Sequence, residues 1–275
     1  MADIEVEQLD AVRRITLNRT EVLNSISWPM AEALVGEIEA ANDDPDTRAV
    51  LVRGAGRAFC AGYAASGGTG TRPTVGADAA KLRRMTLTWA RIWNCPIPVI
   101  AQVHGYCLAG GTDLASHCDL VLVADDARIG YPAVRSMGSP PSNMWLYHVG
   151  AQWAKRLLLT GDTITGRLAA QIGFALQSVP AERLEDTALA LAHRVAMTGS
   201  ELLGANKAVI NHGLDLMGRA SLQYVSSMAD AIGHQSPDTV EFWSVATQEG
   251  LKAALKRRDD PFRGIEPLDI EEPAR

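Results

Sequence analysis

The residues with the clearest chemical pattern lie in the stretch 104–120, which reads HGYCLAGGTDLASHCDL. An apolar run ends at Gly110 and Gly111, and a helix with Asp113 in its first turn is expected to follow. Backbone N–H groups at a helix start lack intrahelical partners and favour negative charge, while glycine allows a ligand to approach closely. The pattern predicts a ligand oxygen at this turn with the Asp113 carboxylate beside it. The alternative is that Asp113 only stabilises the helix N-terminus.

A second glycine turn has the same design. The segment GRAFCAGYAAS (56–66) ends a strand in small residues around Gly62. Two such turns facing one point would direct two backbone N–H groups at a single oxygen, which is the arrangement of an oxyanion hole. Glycine turns also close many α/β units with no catalytic role. The chain has no G-x-G-x-x-G, P-loop or G-x-S-x-G motif, so a dinucleotide site, a P-loop and a serine hydrolase are all disfavoured.

The elements that position these turns alternate between strands and helices, which predicts an α/β fold with helices packed on a largely parallel sheet. Two strands are expected around a turn near Leu9–Asp10, and Ser27 is expected to cap a helix that stops by Pro45. The stretch 64–78 is expected to be a flexible loop. Further strands are predicted at 48–56, 96–105 and 119–130, a helix at 79–95, and C-terminal helices at 143–159, 165–172, 183–198, 201–214, 217–232 and 237–256.

Composition limits the class of protein. The chain has 275 residues, 47% of them hydrophobic, with a net charge of −6, which is ample for a core and argues against a nucleic-acid surface. The cysteines show no zinc or redox spacing and are expected to be reduced core residues: Cys60, Cys95, Cys107 and Cys118. The N-terminal residues do not resemble a signal peptide and no segment is apolar enough for a membrane span, so a cytoplasmic protein with no membrane partner is expected.

Several motifs, in order, carry a family resemblance. They are ITLNRTEVLNSIS, GRAFCAGYAAS, PVIAQVHGYCLAGGTDLASHCDLVLVADDARIGYP, LLLTGDTITGRLAAQIGFALQSVP and EGLKAALKRRDDPF. Together they cover nearly the whole chain and resemble the crotonase family, the enoyl-CoA hydratase/isomerase superfamily. The motifs are specific for the family and not for one reaction.

The resemblance implies a fold and a ligand. The fold would be a crotonase-like spiral of repeated β-β-α units with a C-terminal helical trimerisation layer, divided as a core at 1–200 and a helical region at 201–275. The chain would form a homotrimer or a dimer of trimers. The ligand would be an acyl-CoA thioester, with coenzyme A as part of the substrate and no separate cofactor or metal.

The resemblance also implies site residues. The N–H groups of Tyr63 and Gly110 would hold the thioester oxygen as it becomes an enolate. Val22, Leu23 and the backbone at Ala61 would contact coenzyme A. A basic residue from a neighbouring subunit's last helix also contributes in the family; Arg257 is the nearest match here, with a solvated cation as the alternative reading.

The sequence departs from the family at one catalytic position. Hydratases of the family use two glutamates; Asp113 stands at the first position and Ala133, which cannot titrate, at the second. One base with an enolate-stabilising hole suffices for proton abstraction, double-bond migration or hydrolysis, so these reactions stay open beside hydration. Groups that could replace the missing carboxylate are Tyr63, Tyr131, Arg135 and Ser136, and Trp89 or Trp93 could line the acyl pocket.

Three interpretations remain. The first is an enoyl-CoA hydratase/isomerase-type enzyme with Asp113 as its acid/base. The second is an acyl-CoA-binding protein of the same fold without turnover, which Ala133 favours. The third is a nucleotide-binding α/β protein, which rests on glycine turns alone.

Overall fold

A computed structural model describes residues 2–64 and 72–263. Within these residues the chain begins with four consecutive groups of elements, each made of two strands followed by a helix. The strands are β1 Ile4–Leu9, β2 Val12–Leu17, β3 Ala49–Gly54, β4 Ala58–Cys60, β5 Val99–Val103, β6 Tyr106–Leu108, β7 Leu120–Ala124, β8 Arg128–Gly130, β9 Thr163–Thr165 and β10 Gln177–Val179. The helices are α1 Trp28–Asp43, α2 Val75–Asn94, α3 Gly110–His117, α4 Trp145–Thr160, α5 Gly166–Gln171, α6 Leu184–Ala196, α7 Ser200–Leu216, α8 Arg219–Gly233, α9 Pro237–Glu249 and α10 Leu251–Asp259.

The strands form two sheets. The larger has the order β1-β2-β3-β5-β7-β10, antiparallel between β1 and β2 and parallel elsewhere. The smaller has the order β4-β6-β8-β9. In the second, third and fourth β-β-α groups the first strand joins the larger sheet and the second joins the smaller one. The predicted α/β class with repeated β-β-α units is confirmed.

Burial explains why these segments form these elements. Every residue of β5 is buried, as expected for a central parallel strand covered on both faces. In α1 the apolar residues Met30, Leu34 and Ile38 recur at helical spacing and are all buried. Ser27 caps this helix, its hydroxyl accepting from the Met30 N–H at 3.3 Å, as predicted.

Some boundaries differ from the prediction. The segment 119–130 is two strands, because β7 pairs with β5 in one sheet while β8 pairs with β6 in the other. The expected loop 64–78 is shorter at its end: Thr74 caps α2, accepting from the Ala77 N–H at 3.3 Å, so 75–78 is helical. Residues 65–71 lie outside the described part of the chain.

The C-terminal helices are mostly where the apolar spacing predicts them. Two strands, β9 and β10, lie in or beside the gaps between the predicted helices and were not predicted, because three residues are too few to show a strand period. The predicted helix 237–256 is two helices, α9 and α10, which break at Gly250 with φ +92°. The proposed domain boundary falls beside the first residue of α7 and stays a prediction.

The four cysteines are all buried and free, as expected of small core residues. No helix in the described ranges is both long and apolar enough to cross a membrane.

Candidate active site

The two glycine turns meet at the N-terminus of α3. A Cβ placed on Gly62 would lie 3.8 Å from Gly110 N, and one on Gly110 would lie 2.8 Å from Tyr63 Cγ. Only glycine at 110 leaves room for the Tyr63 ring above it. Ala109, between the strand and the helix, has φ +47°, an uncommon conformation that turns the chain sharply here.

The Tyr63 and Gly110 N–H groups donate to no other group among the described residues. The backbone beside Tyr63 is nevertheless well fixed, because Ile26 N donates to Gly62 O at 2.8 Å and Ala64 N donates to Ile26 O at 2.8 Å. The structure therefore brings together the two turns that the sequence analysis paired, each carrying a backbone N–H with donor capacity to spare.

Asp113 is surrounded by hydroxyl groups. Its side chain is only 1% exposed. Tyr63 Oη donates to Asp113 Oδ2 at 2.9 Å, and Tyr131 Oη donates to the same oxygen at 3.4 Å. Ser142 Oγ donates to the other oxygen, Asp113 Oδ1. Both carboxylate oxygens thus have partners, and none of these partners carries a compensating positive charge.

This environment changes the protonation of Asp113. Burial raises the pKa of its carboxyl to about 7, against the opposing effect of the hydroxyl hydrogen bonds from Ser142 and Tyr63. The negative charge of Asp230 raises it further. A carboxyl with a pKa near neutrality can both accept and donate a proton at physiological pH, which is the property of a general acid/base.

Tyr63 is held by a second donor. Trp89, which is fully buried on α2, donates from Nε1 to Tyr63 Oη at 3.0 Å. Burial and the Asp113 charge raise the pKa of the Tyr63 phenol well above its usual value, so the phenol stays protonated. With Trp89 donating to its oxygen, the Tyr63 proton is directed at Asp113.

The other end of α3 is anchored in a buried polar group. His117 Nδ1 lies 2.7 Å from the Asp113 carbonyl, and its Nε2 lies 3.1 Å from Gln223 Nε2 on α8. Burial lowers the pKa of His117 to about 3, so the ring is neutral. A neutral ring that meets a carbonyl at Nδ1 donates there and accepts from the Gln223 amide at Nε2. The C-terminal end of the helix that carries Asp113 is therefore held in place by hydrogen bonds.

The described residues contain no group of three or more His, Cys, Asp or Glu side chains placed to hold a metal ion. The chemical groups of this site are backbone N–H donors, one carboxyl and three hydroxyls.

Comparison with known proteins identifies the family. The family model for enoyl-CoA hydratase/isomerase matches residues 7–264. The chain belongs to the enoyl-CoA hydratase/isomerase family. It is therefore an acyl-CoA-processing enzyme of the crotonase type, as the sequence analysis predicts.

Individual relatives cover 90% or more of the chain. An enoyl-CoA hydratase structure from Mycobacterium smegmatis is 35% identical, with a TM-score of 0.90 over 96% of this chain and 95% of that one. A putative enoyl-CoA hydratase from Thermus thermophilus is 31% identical over 90% of this chain and 96% of its own length. The 2,3-dehydroadipyl-CoA hydratase of Escherichia coli is 27% identical over 96% of this chain and all of its own length.

Three of the four residues expected to contact coenzyme A lie next to one another. Ala61 N donates to Leu23 O at 2.9 Å, which joins the segment after β4 to the turn that follows β2. Val22 lies beside Leu23 and is 40% exposed. The buried side chain of Asn24 fixes this turn by donating to Ala58 O at 2.8 Å. Arg257 lies apart on α10, where its guanidinium is 2.5 Å from Glu241 and mostly exposed.

Ala133, at the family's second carboxylate position, has a structural role through its backbone. Its carbonyl accepts from Met137 N at 2.7 Å and Gly138 N at 3.1 Å, which turns the chain after the 3₁₀ turn Pro132–Arg135. Arg135 is not available to Asp113, because it pairs with Asp162 at 3.2 Å and Asp259 at 3.0 Å.

Two neighbours of the site, Ser142 and Asp230, were not predicted from the sequence. Of the two tryptophans named as possible lining of the acyl pocket, only Trp89 donates a hydrogen bond from its ring to a residue of the site. Ser142 was missed as a partner of Asp113, although the unusual Pro140–Pro141 pair before it was a signal that this segment is rigid. Asp230 was also missed, since nothing in an amphipathic helix pattern marks one buried acid. Trp89 reaches Tyr63, whereas Trp93 packs against the Arg219 guanidinium, 4.8 Å from its ring centre.

Proposed function

We propose that this protein forms a thioester enolate from an acyl-CoA substrate, with Asp113 as the single acid/base. The observation that carries the proposal is the meeting of the Tyr63 and Gly110 turns at the start of the helix that carries Asp113. In this proposal the Tyr63 and Gly110 N–H groups donate to the thioester oxygen. Coenzyme A belongs to the substrate, and its contacts run along Val22, Leu23 and Ala61.

The two donors act where charge develops. When a proton leaves the carbon next to the thioester carbonyl, the electron pair moves onto the carbonyl oxygen and makes it an oxyanion. Preorganised N–H donors stabilise this oxyanion more than the neutral carbonyl, and one such donor is worth roughly 3–4 kcal/mol in the transition state. The start of α3 adds the positive end of its dipole to the same oxygen.

Asp113 moves the proton. Its ionised carboxylate takes the proton from the α-carbon and then returns it, either to the same carbon or to another carbon of the enolate system. A pKa of about 7 keeps both the ionised and the protonated form populated near neutral pH. The hydroxyls of Tyr63, Tyr131 and Ser142 hold the carboxylate through this cycle.

Of the reactions open to such a site, proton transfer needs the fewest groups. Hydration requires one group to activate water and one to protonate carbon, and the side chain of Ala133 provides neither. We therefore expect proton abstraction and double-bond migration to be faster than water addition. Any hydration that occurs uses Asp113 for both steps.

Binding without turnover is the second candidate. Ala133 favours it, and so does the burial of Asp113, because desolvation disfavours the charged form that a base needs. In that case the protein binds an acyl-CoA ester with equal affinity whether or not position 113 carries a carboxyl.

The test uses two probes. Butanoyl-CoA in D₂O reports enolate formation directly, because exchange of its α-protons is followed by NMR whatever acyl group the enzyme prefers. Crotonyl-CoA reports hydration through loss of the conjugated thioester absorbance. Wild type and Asp113→Asn are compared with each probe, and binding of butanoyl-CoA to both is measured by calorimetry.

We expect the wild type to exchange the α-protons and Asp113→Asn to lose at least about 100-fold in rate, the usual range for a general acid/base. Exchange that is equal in the two proteins would contradict the role of Asp113. Tight binding with no exchange in either protein would support the binding function instead.

We further propose that the C-terminal helices form the subunit contact of a trimer or of a dimer of trimers. Large apolar side chains on α7 and α8 are exposed in the single chain: Leu202 64%, Val209 73%, Ile210 65%, Leu216 76%, Val225 60% and Ile232 60%. An apolar surface of this extent is typical of a protein–protein interface.

A further inference from the structure

A second group of titratable side chains lies near Asp113, with two buried carboxyls and one partly exposed imidazole. Asp230 on α8 is 2% exposed, and its Oδ1 lies 3.3 Å from His234 Nε2. The other ring nitrogen, His234 Nδ1, lies 2.6 Å from Oδ2 of Asp78, a residue of α2 that is 6% exposed. An imidazole between two carboxylates joins the two helices, and its pKa is raised by the hydrogen bond to Asp78 against the effect of its own burial.

Asp230 also holds the segment that reaches Asp113. We name Ser139–Pro140–Pro141–Ser142 the strap. At its start, Ser139 N donates to Asp230 Oδ1 at 2.6 Å. Before its end, the Pro141 carbonyl accepts from Ser227 Oγ of α8 at 3.4 Å. At its end, Ser142 Oγ donates to Asp113 Oδ1.

The strap is stiff, and the residue before it packs closely against Asp230 and His234. Two consecutive prolines fix φ at both positions, and each restricts the residue before it. Gly138, directly before the strap, has φ +147°, and a Cβ there would lie 2.5 Å from both Asp230 Oδ1 and His234 Nε2. The chain can approach Asp230 this closely only with glycine at 138. The strap therefore links the position of the Ser142 hydroxyl to the contact between Ser139 and Asp230.

The charge of Asp230 also reaches Asp113 through the protein interior. Burial raises the pKa of Asp230 to about 6, with the His234 imidazolium opposing that rise. The charged groups that face this cluster are Asp78 and Lys81 from α2 and Asp113 from α3, and the Arg72 guanidinium lies 3.4 Å from the His234 carbonyl. Like charges in a buried region disfavour each other's ionised form.

We propose that Asp230 is a positioning residue of the active site. It holds the strap that brings the Ser142 hydroxyl to Asp113, and its negative charge, which lies beside His234 and Asp78, makes Asp113 harder to ionise. The two effects on Asp113 are opposite: the hydroxyl favours the ionised carboxylate and the neighbouring charge disfavours it. The consequence for catalysis rests on the proposed function of Asp113 as the acid/base.

Two variants separate these effects. Asp230→Asn removes the charge and keeps an oxygen that accepts from Ser139 N. Ser142→Ala removes the hydroxyl and keeps the charge. Asp43→Asn, at an exposed position at the end of α1, is the matched control for an aspartate-to-asparagine change. The readout needs no substrate: protein labelled with ¹³C at the aspartate carboxyl carbons is titrated by NMR, and the Asp113 signal is assigned by its absence in Asp113→Asn.

We expect the pKa of Asp113 to fall in Asp230→Asn, to rise in Ser142→Ala and to stay unchanged in Asp43→Asn. A shift of half a unit, which changes the ionised fraction by about threefold below the pKa, is the smallest that supports the proposal. If Asp230→Asn does not fold, Asp230→Ser removes the same charge with a smaller side chain and must lower the same pKa.

An unchanged or raised Asp113 pKa in a folded Asp230 variant would overturn the electrostatic part of the proposal. A Ser142→Ala protein whose Asp113 pKa does not rise would overturn the part that concerns the strap. α-Proton exchange of butanoyl-CoA against pH is then measured for the same proteins. If the pKa moves as expected but no protein exchanges the protons, the proposed function fails and the link between Asp230 and Asp113 stands.

Discussion

Tyr63 Oη donates to Asp113 Oδ2 across 2.9 Å, although 50 positions separate the two residues in the chain. The same Tyr63 lies over Gly110 with its ring, and its own N–H belongs to the turn that faces that glycine. One residue therefore contributes a backbone donor and a phenol to the same small region.

Tyr63→Phe removes a donor from Asp113 and leaves the Trp89 N–H without its acceptor. Because the hydrogen bond favours the ionised carboxylate, we expect the pKa of Asp113 to rise and the acid limb of the α-proton exchange profile to move to higher pH. A hydrogen bond to a charged group is worth about 1.5–3 kcal/mol, so exchange at neutral pH should fall roughly tenfold or more. The measurement is exchange of butanoyl-CoA from pH 5 to 9.

The control for this change is Tyr106→Phe, which deletes the phenol of a tyrosine that is 41% exposed on β6. We expect it to leave both the rate and the profile unchanged. An identical profile in Tyr63→Phe and wild type would show that the phenol does not act on Asp113.

Asp113→Asn should change the pH dependence of stability as well as activity. The carboxyl has a pKa of about 7 in the folded protein against 3.8 in the reference state, so the folded state holds an extra proton between these values. Wild-type stability therefore falls as pH rises through this window and is level above it. We expect Asp113→Asn to gain in unfolding free energy relative to wild type from pH 4 to pH 7, by at most about 4 kcal/mol.

Urea unfolding at pH 4.5, 6 and 8 measures this difference. Asp43→Asn again provides the control, since it makes the same change at a residue exposed to solvent in the folded protein. If the unfolding free energy of Asp113→Asn relative to wild type instead falls as pH rises, the folded protein favours the ionised form of Asp113.

Gly110→Ala tests the contact between the two turns. The new methyl would lie 2.8 Å from Tyr63 Cγ, so the ring or the helix start must shift. We expect a loss of about 1–3 kcal/mol in stability from overpacking, and a fall in exchange rate because the Gly110 N–H moves with the helix start. Thermal unfolding and butanoyl-CoA exchange report the two effects.

Gly36→Ala is the matched control, because it adds the same methyl group to a helix at a position with free space around it. Nothing lies within 4 Å of a Cβ at Gly36, which is inside α1. This variant should gain about 0.5–1 kcal/mol from helix propensity and keep its activity. A Gly110→Ala protein as stable and active as Gly36→Ala would mean that the turns have room to separate.

Ile210→Asp tests the proposed subunit contact. Ile210 on α7 is 65% exposed in the single chain, and a charge there is costly only if another subunit covers it. We expect the mass measured by light scattering to fall from an oligomer towards one chain. Val6→Asp places the same charge on the exposed edge strand β1, where Val6 is 45% exposed, and should leave the mass unchanged. If Ile210→Asp keeps the same oligomeric mass as Val6→Asp, the subunit contact does not involve Ile210.

Local patterns in the sequence were enough to predict much of the fold. Helical spacing with a capping serine defines α1, and runs of β-branched residues define the central strands, because these signals depend on neighbours within a few positions. The shortest strands were harder. β8, β9 and β10 have three residues each, and whether such a segment is a separate strand depends on which neighbour pairs with it.

The candidate site divides in the same way. Gly110 and Asp113 were recognisable from sequence because a glycine turn, a helix start and an acid lie within four positions. The direction of the Tyr63 ring, the hydroxyl of Ser142 and the buried acid Asp230 became evident only in the tertiary structure. Each meets its partner across a long stretch of chain, and the pKa of Asp113 follows from the burial and the neighbours that this packing creates. The amino-acid sequence specifies which chemical groups this protein has. Its tertiary structure determines which of these groups are buried in contact with one another, because contact and desolvation exist only in the folded chain.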